Sequence, residues 1–309
     1  MNSACLQTIF FLTPRPPFRL DLTVWALRRR PDNAIDCWED GIYRRTLSTS
    51  NGLAEVLVRQ ICSGARPRLR VHLRGVRRTD AVQAEISSTL TRILGLDVDL
   101  HPFCLVAAQW PKLNDLARRF KGMKPPRFAS TFDSVVNAIA CQQLTLTVGI
   151  QLLNKLARTC GGVCNAAGAV PAMPGPRELA GVATHALRDL GFSHRKAGYL
   201  TKLAQEVLAG RVRLDAADAM SDAAAVAYLT EIHGIGRWTA EYVLLRGLGR
   251  THIFPGDDVG ARNNLQKWMC LSDPLDYQGV ESVLAAWRPF AGLIYLHLLL
   301  QSQSEAGWI

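Results

Sequence analysis

The stretch HGIGRWTAEY, His233–Tyr242, sets two glycines around one isoleucine at the start of a helical segment. Such a pair reads either as an ordinary turn between two helices or as a backbone cradle for an anion. A helix N-terminus exposes unpaired N–H groups and a partial positive charge, so it suits a phosphate. Gly234 and Gly236 carry no Cβ that would hold a phosphate away from those groups. Thr239 adds a hydroxyl, and Arg237 or Arg246 adds charge. On the second reading two helices and their connecting hairpin span about 222–247, with Ser221 capping the first. That arrangement grips one DNA phosphate without reading sequence.

The rest of the chain must choose between the two readings. Its 309 residues allow two domains or one large one, and 48% apolar with 20% charged residues is globular rather than disordered or fibrous material. The 36 Lys and Arg against 26 Asp and Glu leave a formal charge of +10, which favours a polyanionic partner such as nucleic acid. Eight cysteines are scattered at positions 5, 37, 62, 104, 141, 160, 164 and 270. No secretory pattern opens the chain, so reduced thiols in the cytoplasm are expected. No second pair answers Cys160 and Cys164, which argues against zinc. The apolar run AGLIYLHLLL, Ala291–Leu300, is shorter than the ~18 residues that cross a bilayer and reads as a buried helix.

Outward from the hairpin, the pattern changes near residue 110. In PFRLDLTVWAL, Phe18, Leu20, Leu22 and Val24 alternate with polar or mixed neighbours, as in a half-buried strand. RLRVHLRGV alternates Leu69, Val71 and Leu73 against Arg68, Arg70, His72 and Arg74; the arginine face reads as solvated or as a DNA contact. GLAEVLVRQICSG between them reads as helix by its good helix formers. Val82, Ile86, Leu90, Ile93 and Leu94 share one face of a helix that Asp80 is placed to cap. Strands and two helices predict an N-terminal α+β domain, residues 1–110, with an antiparallel sheet. KGMKPPRFASTFDS marks the boundary, and residues 111–309 read as helices. Ser130 or Thr131 caps a helix with Phe132, Val136, Ile139 and Gln143 on one face. Val148, Leu152 and Leu156 mark another, stopped by Gly161-Gly162, and Ser193 caps a third. The small residues from 161 to 175 read as a surface loop.

Twenty-two residues beyond Gly236, in HIFPGDDVGARNNL, stands Asp258. Pro255-Gly256 makes a turn, and either Asp257 or Asp258 taken alone reads as a helix cap. With this spacing the chain resembles the helix–hairpin–helix base-excision DNA glycosylases, of the 3-methyladenine-DNA glycosylase II type. FDSVVNAIACQQLTLTVGIQLLNKL is similar to the family's helix and Gln-containing turn. LRDLGFSHRKAGYLTKLA is similar to its segment before the hairpin, and WRPFAGLIYLHLLL to its C-terminal helix. The likeness covers nearly the whole chain. It implies a mainly α fold, the helical glycosylase domains following an N-terminal α+β domain.

Carried over by position, the resemblance makes Asp258 the catalytic aspartate and leaves Asp257 to cap or orient. Gly234, Gly236 and Thr239 become the phosphate grip, with Arg237 beside them. The backbone carbonyls of Thr230, Ile232 and Ile235 become holders of a monovalent cation, Na+ or K+. Gln143 becomes the side chain that fills the gap left by an extruded nucleotide, although a polar residue at a helix end reads the same way. Some relatives cut the strand with a lysine amine at the position of Trp238; an indole forms no Schiff base, so a monofunctional enzyme without lyase activity is implied. Trp238 and Tyr242, one turn apart, line a base pocket on this reading, and pack as core aromatics on the other. The resemblance is to a close bacterial relative with a tryptophan and a tyrosine where Leu299 and Val259 stand here, which implies a less aromatic pocket. An iron–sulfur cluster is not expected, because only Cys270 lies beyond residue 164.

The implied activity is hydrolysis of the N-glycosidic bond of alkylated, 3-methyladenine-type bases in double-stranded DNA, after base flipping and without a catalytic cofactor. A monomer is expected, acting without a membrane in the cytoplasm, at the nucleoid if the source is bacterial. The alternatives are a non-catalytic helix–hairpin–helix DNA-binding protein, which leaves Asp258 unexplained, and a glycosylase/lyase for oxidised bases, which Trp238 disfavours.

Overall fold

The structure is a computed structural model and describes residues 8–309, so Cys5 lies outside the described residues. Strands β1 (Thr8–Leu12), β2 (Cys37–Glu39), β3 (Ile42–Thr49), β4 (Gly52–Cys62) and β5 (Arg68–Arg74) form one antiparallel sheet of order β1-β5-β4-β3-β2. Val56 and Val58 of β4 and Leu69, Val71 and Leu73 of β5 point to one face, as strand alternation requires. Helices α1 (Leu20–Arg28) and α2 (Asp80–Leu94) supply the apolar side chains packed there. Val82, Ile86, Leu90, Ile93 and Leu94 of α2 are buried as expected, but Thr79, not Asp80, caps it by accepting from the Val82 N–H.

Two N-terminal elements differ from the sequence reading. The segment from Phe18 to Val24 is not a strand but enters α1. Leu20, Val24 and Leu27 pack on the sheet, while Leu22 and Ala26 pack on the C-terminal helices. A helix buried on two sides is apolar all round, and its residues then also fit a period of two. The segment 52–62 is not helical but is β4, paired along both edges. Leu53, Ala54 and Glu55 favour helix locally, yet Glu55 is fully buried and ion-paired with Arg44 and Arg74 of the flanking strands. Tertiary pairing overrides local propensity there.

Beyond the sheet run α3 (His101–Ala107), α4 (Pro111–Arg119), α5 (Thr131–Cys141), α6 (Leu146–Cys160), α7 (Pro176–Ala180), α8 (Thr184–Asp189), α9 (His194–Leu208), α10 (Asp222–Thr230), α11 (Arg237–Arg246), α12 (Val259–Met269), α13 (Tyr277–Leu284) and α14 (Ala291–Glu305). Ser130, Thr145, Ser193 and Ser221 cap α5, α6, α9 and α10 through their hydroxyls. One helical core gathers α5, α6, α9, α10 and α11; another gathers α3, α4 and α12 to α14, so Phe103 and Ala107 of α3 pack with the C-terminal helices. Buried Arg45 of β3 donates to Asp36 at 2.7 Å and to Asp133 of α5 at 2.6 Å, tying sheet to helices. The 161–175 loop is pinned rather than free: Thr46 donates to the Val170 carbonyl and Arg74 to that of Ala167.

The helical run Tyr277–Glu305, 29 residues, is long and apolar enough to cross a membrane by length and composition. It bends at Trp287, where the backbone is non-helical and Pro289 follows. Ala291–Leu300 within it is largely buried in the protein, as expected of a core helix.

Candidate active site

Helices α10 and α11 pack together through the turn 231–236, where the Ile235 N–H donates to the Ile232 carbonyl at 3.0 Å. The two glycines have separate reasons. Gly234 has φ +93°, and a Cβ there would lie 2.4 Å from the Tyr199 ring, so both backbone and packing demand glycine. Gly236 has φ −97°, which any residue adopts, and a Cβ there would meet nothing within 4 Å. It is the exposed N-cap of α11 and leaves the unpaired N–H groups of that helix open to solvent.

Thr239 does not stand beside these groups as a surface hydroxyl. It is 1% exposed, and its Oγ1 accepts from Gln142 Nε2 at 2.9 Å, because the first turn of α11 packs against the end of α5. Gln142 also donates to the Gly234 carbonyl at 2.9 Å, so one amide fastens the hairpin to α5. Arg246 is fully buried at the far end of α11 and donates to the Ala26 carbonyl, so it is no part of an anion site. Arg237 is exposed and adjacent, but its guanidinium pairs with Asp257 at 2.9 Å and lies over the Tyr277 ring at 3.9 Å. That hydrogen bond to Asp257 raises its pKa further.

Gln143 is not on the face of α5, which ends at Cys141; it is exposed in the left-handed region at φ +53°. Leu144 beside it leaves 42% of its surface in water. Lys196 Nζ donates to the carbonyls of Ala140 at 3.0 Å and Gln142 at 2.6 Å, satisfying the end of α5 directly below this tip. Burial lowers the Lys196 pKa.

Asp258 is the N-cap of α12, and its Oδ1 accepts from the Ala261 N–H at 2.9 Å. Its Oδ2 faces Trp238 Nε1 and the Tyr295 hydroxyl, each at 3.3 Å. The Asp258 N–H donates to the Pro255 carbonyl, closing the turn that presents it. Gly256 of that turn donates to Glu241 Oε2, and the Tyr277 hydroxyl donates to Glu241 Oε1 at 2.7 Å. Burial pushes the Glu241 carboxyl up. Separated in sequence by α11, the hairpin and the aspartate loop are thus fastened to each other.

Trp238 is half-buried and stacks on Tyr242, ring centroids 5.5 Å apart and 28° from parallel. Tyr242 is 3% exposed, so Trp238 presents the accessible face and Tyr242 backs it. The Tyr242 hydroxyl accepts from Arg29 at 2.9 Å, and the same guanidinium donates to Asn137 at 2.7 Å. Burial pushes the phenols of Tyr242 and Tyr295 up, so both stay protonated donors at neutral pH. Leu299, half-buried, lies one turn beyond Tyr295 on the same face of α14. The arrangement sets a carboxylate among aromatic donors, within one side chain of an open helix N-terminus. Sequence reasoning missed Tyr295, Gln142 and Arg29. Tyr295 was signalled by its spacing of four from Leu299, whereas nothing in the local sequence marks Arg29.

Residues 136–289 match the model of the HhH-GPD superfamily of base excision DNA repair proteins, and the chain belongs to that superfamily. Among relatives, it is 26% identical to DNA-3-methyladenine glycosylase 2 of Escherichia coli over 290 residues, 94% of this chain and 96% of that one. It is 30% identical to a putative DNA-3-methyladenine glycosylase of Bacillus subtilis over 169 residues, which are 55% of this chain but 58% of that relative's length. The fold is shared with 3-methyladenine DNA-glycosylase from Archaeoglobus fulgidus, with a TM-score of 0.83 at 24% identity, over 96% of this chain and 98% of that one. It is also shared with an 8-oxoguanine glycosylase/lyase of Clostridium acetobutylicum solved with double-stranded DNA, with a TM-score of 0.72 at 14% identity, over 94% and 93%.

Proposed function

We propose that this protein is a monofunctional DNA glycosylase that hydrolyses the N-glycosidic bond of alkylated bases in double-stranded DNA. The observation that carries it is Asp258 Oδ2, held by Trp238 and Tyr295 beside the open N-terminus of α11. In this reading Gly236 and the first N–H groups of α11 grip a phosphate near the lesion, and Gly234 gives the turn its shape. Gln143, exposed at the tip after α5, enters the stack in place of the extruded nucleotide, with Leu144 beside it. The flipped base stacks on Trp238, backed by Tyr242, with Leu299 at the pocket's edge.

As the C1′–N bond breaks, its electron pair leaves with the base and the sugar gains oxocarbenium character. The Asp258 carboxylate stabilises that charge and accepts a proton from the attacking water. Trp238 occupies the position from which a lysine would form a Schiff base, so no strand cutting follows. No step requires a cofactor. The carbonyls of Thr230, Ile232 and Ile235 suit a structural Na+ or K+, since the Ile232 oxygen accepts one hydrogen bond in the turn and retains a lone pair. The protein is proposed to act as a monomer on chromosomal DNA. The test is base release from methylated DNA by purified protein, with borohydride added in parallel. Free base without a trapped protein–DNA adduct supports the reading, and a trapped adduct contradicts it.

A further inference from the structure

We infer that Lys196 is the positioning residue for base extrusion: by bonding the Gln142 carbonyl it fixes the turn that carries Gln143, and so governs opening of the duplex rather than breaking of the bond. This rests on the glycosylase reading above, in which Gln143 enters the stack, and adds the side chain that holds it ready. Gln142 has φ −52° and ψ 131°, Gln143 has φ +53°, and the Leu144 N–H donates to the Cys141 carbonyl at 3.3 Å. These are the angles of a type II turn, whose third residue lies in the left-handed region and is ordinarily glycine or asparagine. A glutamine there has a less strained choice. Rotating the peptide between residues 142 and 143 by about half a turn gives a type I turn, with negative φ at both central residues. The ends of the turn stay in place in either form, so the choice falls to whatever holds the central peptide.

Lys196 holds it. Its Nζ donates at 2.6 Å to the Gln142 carbonyl, the oxygen of that central peptide, and at 3.0 Å to the carbonyl of Ala140. Rotation of the peptide carries the Gln142 oxygen away from Nζ and loses the first of these bonds. Lys196 is 9% exposed and stands in the first turn of α9, where the helix dipole disfavours a cation. Its own helix therefore gives no reason for a lysine there, whereas the carbonyl end of α5 does. On the other side of the turn, the Gln142 amide is bonded to the Gly234 carbonyl and to Thr239 Oγ1. Gln143 is thus exposed on a backbone fixed before DNA arrives, and a tip ordered in advance loses less conformational freedom on entering the stack. Lys196 touches neither base nor sugar on this account; it acts through Gln143.

The test is a double-mutant cycle on Lys196→Met and Gln143→Ala, read by single-turnover base release from methylated duplex DNA at saturating protein. Each single variant is expected to slow release at least about ten-fold, and the double variant to be no slower than Gln143→Ala. A second readout has no bond to break: 2-aminopurine placed beside a tetrahydrofuran abasic site changes fluorescence as the tip enters the gap. Each variant, once bound, is expected to lose most of that change. A merely structural role for Lys196 multiplies the two losses in the double variant and leaves the fluorescence change of bound Lys196→Met at its wild-type size. Either result overturns the inference, as does wild-type release by Lys196→Met or by Gln143→Ala. Where Lys196→Met does not fold, Lys196→Gln takes its place and is read by the same outcomes. Release of no base by the wild type refutes the glycosylase reading itself, while the fluorescence of the four proteins still tests the tip.

Discussion

Replacing each hairpin glycine by alanine separates what the turn needs from what its ligand needs. At Gly234 the alanine must hold φ +93° and set its Cβ 2.4 Å from the Tyr199 ring. The backbone strain costs about 1–2 kcal/mol, and moving a packed ring costs about 1–3 more. Gly234→Ala should therefore lose roughly 2–5 kcal/mol of stability. At Gly236 the backbone is ordinary and no atom lies within 4 Å of the new Cβ. The weaker N-cap costs about 0.5 kcal/mol, and the stiffer unfolded chain returns a similar ~0.4 kcal/mol or more. Gly236→Ala should fold like the wild type. Its methyl group, however, stands where a phosphate would approach α11, at a cost of one or two charge-assisted bonds of about 1.5–3 kcal/mol each. Urea unfolding and binding to an undamaged duplex at fixed salt measure the two effects. Gly236→Ala should bind at least about ten-fold more weakly. Wild-type binding by Gly236→Ala, or destabilisation equal to that of Gly234→Ala, would refute the reasoning.

Other outcomes follow from the same contacts. Tyr295→Phe removes one of two donors on Asp258 Oδ2; worth about 1 kcal/mol of orientation, it should slow single-turnover base release several-fold with the melting temperature little changed. Trp238→Ala deletes the stacking surface and should cost about 1–3 kcal/mol in lesion binding, read as a rise in KM or Kd for damaged but not undamaged DNA. Buried His297, its Nδ1 on the Leu293 carbonyl, is lowered by burial to about 4 from an ordinary 6.5. It stays neutral in the fold while the unfolded chain protonates, so its contribution is whole above pH 6.5 and is lost as pH falls toward 4. The loss approaches about 3 kcal/mol. Comparing unfolding midpoints at neutral and acid pH should show a flatter profile for His297→Gln.

The hairpin was legible because its signals are local: a glycine pair, a Ser221 cap and an aspartate at the next helix start. The helix caps at Ser130, Ser193 and Ser221 were legible for the same reason. Segments decided by distant partners were not. The residues of α1 fit two periods because they bury two faces against two cores, and β4 has helix-forming residues held in a sheet by Arg44 and Arg74. Within the site, Gln142 and Gln143 are indistinguishable as letters. The end of α5 between them turns one inward to the hairpin and leaves the other in solvent. Arg29 reaches Tyr242 across 213 positions, a contact that only the assembled fold defines.

The central claim is that the Asp258 carboxylate drives base loss, and the most direct measurement is single-turnover release of methylated bases by Asp258→Asn. Asparagine retains an oxygen that can accept from the Ala261 N–H, so the fold and DNA binding should persist. Removing the charge that faces the oxocarbenium-like sugar should slow release by at least about a hundred-fold, the scale of losing one preorganised electrostatic group. Undiminished release by a folded, DNA-binding Asp258→Asn protein would contradict the account.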